Sequence, residues 1–326
     1  MNPIKNPIFD AAMQGTTGSI VLLTLAAFGI LVALTLFGEL LRYRQPAGSP
    51  NPVLETYMTR VETWWAMVAL TALALLSGQF GLSLLFLFAS FAAMREFLSM
   101  TAKNKADHIS LAIAFFAVLP LQYFFVWMGW HGLYTVFIPV YAFLLLPIVS
   151  ALRGNYRRFM TRVAETQWGL MISVFCLSHV PALMAIDIPG YGDQSVLMIA
   201  FLIVVVQLGD LLDFFFGRRI GKTRIAPELS PKTWEGLAAG VASAALIGGM
   251  LAWLTPFGVL GAMIMAAVAS LSGMFGNIVF AAIKRDRGVK DWSHLIPGQG
   301  GFVDQLDSVI FAAPIFYHLT RFFWGV

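Results

Sequence analysis

Residues 194–216 read Q-S-V-L-M-I-A-F-L-I-V-V-V-Q-L-G-D-L-L-D-F-F-F, and this stretch decides the fold. It is long and apolar enough to cross a bilayer as a helix, which takes about 20 residues. Outward from it, similar runs recur at roughly 19–41, 63–78, 80–98, 109–128, 132–152, 168–187, 236–255, 257–282 and 305–324. The chain of 326 residues is 59% hydrophobic and 12% charged, with a mean hydropathy of +0.78. A soluble domain carries about 25% charged residues. The pattern predicts an all-α, polytopic integral membrane protein of about ten transmembrane helices. The segment before Thr17 is polar and mixed, so the run near Ile20 reads as a first span and not as a cleaved signal.

The basic residues give the topology. Ten spans with both ends on one side place five connections on the other side. Arg42, Arg44 and Arg60 follow the first span, and Arg95, Lys103 and Lys105 the third. Arg153, Arg157, Arg158 and Arg162 follow the fifth. Arg218, Arg219, Lys222, Arg224 and Lys232 follow the seventh, and Lys284, Arg285, Arg287 and Lys290 the ninth. These are 19 of the 21 Lys and Arg, with only Lys5 and Arg321 on the other side. The positive-inside rule then puts both termini on the non-cytoplasmic side. The short opposite loop carries Asp187 and Asp193, as that orientation permits. The net charge of +4 fits a basic cytoplasmic face, and no nucleic-acid partner is expected. A single cysteine, Cys176, excludes an internal disulfide. The stretch 45–52 reads as a turn-forming loop.

Chemistry concentrates in two charged loops of the C-terminal third. The division expected is a supporting N-terminal bundle of transmembrane helices, 1–190, and a catalytic transmembrane region, 191–326. Cytoplasmic loops 217–235 and 283–304 belong to the second. In the first loop, Asp210 and Asp213 lie three apart and share a helix face. A carboxylate inside a span is a functional candidate by default. Ser230, Lys232 and Thr233 then precede the next span, where free N–H groups of a helix start bind anions. In the second loop, Lys284, Arg285, Lys290 and Asp291 precede a turn with Gly298, Gly300 and Gly301. The turn leads to a second carboxylate pair, Asp304 and Asp307. Glycines let the backbone approach a phosphate closely, cations neutralise phosphate oxygens, and carboxylates suit Mg²⁺. Together they describe a triphosphate entering from the cytosol and a lipid phosphate arriving through the bilayer. His179 is read as a structural hydrogen-bonding group paired with Ser178.

The run from Lys284 to Asp307 resembles the signature of the phosphatidate cytidylyltransferases, or CDP-diacylglycerol synthases. That signature is K-R, four residues, K-D, a Pro-Gly-His-Gly-Gly turn, then D-R-x-D. The earlier Ala-Pro-x-x-Ser-Pro and Lys-Thr-Trp-Glu-Gly segments match as well, so the resemblance covers roughly 205–312. It implies CTP and phosphatidate as substrates, CDP-diacylglycerol and pyrophosphate as products, and Mg²⁺ as cofactor, with a second metal ion allowed. It implies Asp304 as a metal ligand. Asp307, Asp210 and Asn277 complete the metal candidates. Asp304, Lys284, Arg285, Lys290 and Asp291 are the catalytic candidates. Ser230, Lys232, Thr233, Gly298, Gly300 and Gly301 are the substrate-binding candidates. It also implies a homodimer in a cell's inner (cytoplasmic) membrane, with the active site facing the cytoplasm.

The chain departs from the family at several positions. Gln299 stands for the turn's His, and Gln305 for the Arg of D-R-x-D. One residue is missing before Lys232-Thr233. The Gly-Asp seven residues before Lys284 is Gly276-Asn277, and a nearby Glu is Phe280. Alternatives therefore stay open: another lipid phosphate on the same fold, or a paralogue that binds nucleotide or lipid without turnover. A transporter is a third class, but it would place its charges in mid-membrane and not at span ends.

Overall fold

A computed structural model describes residues 16–44, 52–101, 105–191 and 194–326. Lys5, Lys103, Asp193 and the turn at 45–51 lie outside the described residues. Among the described residues ten helices follow one another: α1 Thr16–Tyr43, α2 Pro52–Leu76, α3 Gly78–Ser99, α4 His108–Trp127, α5 His131–Ala151, α6 Phe159–Ala185, α7 Ser195–Ile220, α8 Trp234–Met250, α9 Gly258–Asp286 and α10 Phe302–Trp324. Among the described residues there is no strand, only two isolated bridges, Arg224 with Thr233 and Ile296 with Gly300.

Each expected span corresponds to one helix, but they are not equivalent. Seven are long and apolar enough to cross a membrane, which makes this a multi-pass membrane protein. The other three are α2, α8 and α10. Helix α8 is only 17 residues long. Helix α2 carries Glu55, Arg60 and Glu62, and α10 carries Asp304, Asp307 and Arg321. Two boundaries also move. Helix α2 begins at Pro52 and not near 63, and α6 begins at Phe159 and not near 168. Arg60 and Arg162 are therefore helix residues. Hydropathy marks the apolar part of a helix, whereas hydrogen bonding carries the helix beyond it into the charged region.

Alternation brings one end of every helix to the same side. Arg42 near the end of α1 lies 3.7 Å from Glu55 at the start of α2. Asp107, just before α4, takes Ser150 of α5 at 2.6 Å and Arg162 of α6 at 2.7 Å. Arg287, just past α9, reaches Glu165 of α6 at 2.7 Å. At the opposite end, Gln79 of α3 donates to the last carbonyls of α4 at 3.4 Å. There, too, the Val326 N–H donates to the Asp187 carbonyl at 3.1 Å.

Helices α7 to α10 pack closely through small residues, as membrane helices do. A Cβ at Gly236 would stand 2.8 Å from the Asp213 carbonyl oxygen, and one at Gly240 would stand 2.9 Å from the Asp213 Cβ. One at Gly273 would stand 2.9 Å from the Ser308 carbonyl oxygen. These approaches press Asp213 against α8 and Ser308 against α9. In the core between α4, α5, α6 and α10, Ser178 and His179 both bond the Phe175 carbonyl. His179 thus has a structural partner, but that partner is the backbone of its own helix and not Ser178.

Candidate active site at the charged end

The end of α7 and the start of α8 hold the first cluster. Lys232, in the connection between them, places its Nζ 2.5 Å from Asp210 Oδ1 and 2.5 Å from Asp213 Oδ2. Asp213 is buried, with only 1% of its side chain exposed, while Asp210 is one-third exposed. Burial pulls the Lys232 ammonium down, but Asp210 and Asp213 outweigh it and hold the group above its ordinary value. From α9, Asn277 Nδ2 donates to Asp210 Oδ1 at 2.7 Å. From α10, Ser308 Oγ lies 3.0 Å from Asn277 Oδ1 and 3.2 Å from Asp307 Oδ1. Three helices, α7, α9 and α10, thus share one polar network with Lys232 of the α7–α8 connection.

The connection that carries Lys232 is fixed independently of that side chain. Glu235 accepts the Lys222 and Thr223 N–H groups at 3.1 Å. Thr233 caps α8 by accepting from the Gly236 N–H at 3.1 Å. Ser230 Oγ accepts the Lys232 N–H at 3.3 Å. Ser230 and Thr233, expected to bind substrate, here shape the loop.

The second cluster surrounds the glycine turn. Asp304 Oδ2 accepts the N–H groups of Gly301 and Trp292, both at 2.9 Å, and Asp304 Oδ1 takes Lys284 at 3.0 Å. This carboxylate closes the first turn of α10, where free N–H groups need an acceptor. Gly300 has φ +91°, and a Cβ there would stand 2.6 Å from Asp304 Oδ2. Gly298, at φ +72°, turns its carbonyl to Arg60 Nε at 2.9 Å. Gln299 bridges α2, accepting from Trp64 at 3.2 Å and donating to the Arg60 carbonyl at 3.2 Å. Gln305 Nε2 donates to the Gln299 carbonyl at 3.0 Å. Both glutamines therefore brace the turn.

Glu96 of α3 was not among the expected residues. It is 3% exposed and accepts Ser293 Oγ at 2.6 Å, the Phe302 N–H at 2.9 Å and the Val303 N–H at 3.0 Å. A Cβ at Gly301 would stand 2.5 Å from Glu96 Oε2, so that position must be glycine for Glu96 to approach. A carboxylate beside the apolar run of α3 was the available signal. Asp213 joins Glu96 as a residue whose weight the sequence understated. Lys284, Asp304, Asp210, Asn277, Lys232 and Asp307 are brought into these two clusters. Arg285, Lys290 and Asp291 stay exposed at the same end.

Among the described residues no three His, Cys, Asp or Glu side chains converge closely enough to hold a metal ion as they stand. The donor chemistry nevertheless fits a hard cation. Asp210 and Asp213 aim one oxygen each at a single point, occupied by an ammonium. Asp213 Oδ1 is buried with no hydrogen-bond partner. An all-oxygen carboxylate set is what Mg²⁺ takes.

The cytidylyltransferase family pattern matches residues 58–323. The uncharacterized protein YnbB of Escherichia coli (strain K12) is 31% identical over 299 residues, 90% of this chain and 96% of its own. The phosphatidate cytidylyltransferase of Bacillus subtilis (strain 168) is 29% identical over 218 residues, 66% of this chain and 78% of its own. That of Aquifex aeolicus (strain VF5) is 33% identical over 147 residues, 44% of this chain and 55% of its own. The chain belongs to the cytidylyltransferase family and is a nucleotidyltransferase.

Proposed function

We propose that this family member transfers a cytidylyl group from CTP to phosphatidate at the charged end of the bundle, with Mg²⁺. The observation that carries the reading is the convergence of Asp210 and Asp213 on one cation position, linked through Asn277 and Ser308 to α10. Asp210, Asp213 and Asp307, with Asn277, would hold the metal. When bound, it would neutralise charge on the attacking and leaving oxygens. Lys232, Lys284, Arg285 and Lys290 neutralise phosphate charge, and the turn at Gly298–Gly301 places its backbone against the nucleotide. A phosphatidate oxygen bonds to the α-phosphorus as the bond to the bridging oxygen breaks and pyrophosphate leaves. The phosphate monoester is already anionic, so no protein base is needed. Positioning and electrostatics do the work. Asp304, implied as a metal ligand by the resemblance, is assigned instead to holding the turn and Lys284. The distribution of basic residues supports a cytoplasmic position for this end, with both termini opposite, in an inner membrane.

The test is formation of pyrophosphate and CDP-lipid from CTP and phosphatidate by the purified protein in mixed micelles with Mg²⁺, beside Asp210→Asn. Product from the wild type and its loss in the variant supports the reading. No product with phosphatidate, but product with another lipid phosphate, moves the substrate. CTP binding with no product from any lipid phosphate favours the silent paralogue. Asn277, an amide hydrogen-bonded to Asp210, is the observation behind that second reading.

A further inference from the structure

We propose that Lys232 is a resident counter-cation, which a divalent cation must displace, and that the released ammonium then serves the nucleotide's phosphates. The inference rests on the cation reading above and adds an order to it: cation first, nucleotide second. An ammonium sits where the Asp210 and Asp213 oxygens converge, 2.5 Å from each. A second cation cannot share that point, since like charges a few ångströms apart in a partly screened site repel strongly. Without any cation the buried Asp213 carboxylate would be uncompensated, which is costly. Lys232 therefore compensates the buried Asp213 carboxylate while it blocks that point to a divalent cation.

The loop is built so that only the side chain has to move. The Lys232 carbonyl accepts the Ile225 N–H at 3.0 Å, and its N–H donates to Ser230 Oγ at 3.3 Å. Thr233 and Glu235 hold the residues that follow. A lysine on a four-carbon stem is suited to such a swing, whereas a planar guanidinium locked across two carboxylates is not. Lys284 is not equivalent, because Asp304, its partner, is held by two further N–H groups. The coupling is reciprocal: an anion that draws Lys232 away favours the divalent cation by the same factor.

The probe is Mn²⁺, measured by electron paramagnetic resonance on the purified protein without nucleotide. Wild type, Lys232→Met and Lys232→Arg are compared, each checked for folding by its melting curve. Lys232→Met is expected to bind Mn²⁺ at least about tenfold more tightly than wild type, the scale set by one unit charge beside a divalent ion. Lys232→Arg is expected to bind no more tightly than wild type. A second readout needs no variant. Acylation of Lys232 by an amine-reactive ester, followed by peptide mass spectrometry, is expected to rise when Mn²⁺ is added. Mn²⁺ bound by wild type, with no gain in Lys232→Met or no rise in labelling, overturns displacement alone. No Mn²⁺ bound by any of the proteins removes the cation reading, and this inference with it.

Discussion

Asp210 with Asp213, and Asp304 with Asp307, are the same pattern in sequence: two aspartates three apart at the charged end of a membrane helix. In the folded protein they do different things. Asp210 and Asp213 both face one ammonium, and one Asp213 oxygen has no partner. Asp304 and Asp307 diverge. Asp304 is occupied by two backbone N–H groups and Lys284, while Asp307 is tied to Ser308, whose hydroxyl also meets Asn277 of the first cluster. The cause is position on the helix. The first pair lies two to three turns before the end of α7, where the backbone N–H groups are already bonded within the helix. Asp304 lies in a first turn, where unpaired N–H groups compete for it.

The largest expected effect concerns the support of the second pair. Glu96→Ala strands three donors in a buried site and is expected to cost about 3 kcal/mol or more. Glu96→Gln should recover part of that loss. Thermal melting in detergent reads both, and a stable Glu96→Ala would show that the turn does not depend on α3. Next, Asp210→Asn is expected to lower turnover about a hundredfold or more. It should leave melting nearly unchanged, because Lys232 keeps Asp213. Asp304→Asn is expected to reverse that emphasis, losing about 1–3 kcal/mol of stability, which the same melting measurement checks. Equal melting of both variants would erase the distinction between the pairs.

The smallest effect is in pH. Lys232 titrates above its ordinary value of 10.5 in the folded protein. Its contribution to stability is complete below that value and is lost as pH rises through the higher, folded one. Melting between pH 7 and 10 should therefore owe no slope to this group. A slope present in wild type and absent in Lys232→Met would contradict that.

Much of this was legible in the sequence. The ten apolar runs became ten helices, and the basic residues marked the end where the helices share their charged contacts. Spacing placed Asp210 with Asp213, but it did not show that Lys232, 19 residues after Asp213, returns between them. That requires the hairpin-like loop pinned by Glu235. Glu96 was hidden for a related reason. Its partners, Ser293, Phe302 and Val303, are about 200 residues away, and nothing local in α3 points to them. Gln299 and Gln305 read only as departures from a family pattern, yet each has its own hydrogen bonds. The apolar rule also placed the start of α2 too late, because Glu55, Arg60 and Glu62 interrupt hydropathy without interrupting the helix.

The most direct measurement is Mg²⁺-dependent melting of wild type, Asp210→Asn and Asp304→Asn side by side. If the first pair holds the cation and Asp304 holds the turn, Mg²⁺ raises the melting temperature of wild type and Asp304→Asn. It leaves Asp210→Asn unmoved. A Mg²⁺ response that survives in Asp210→Asn and vanishes in Asp304→Asn would contradict this division and return Asp304 to the metal.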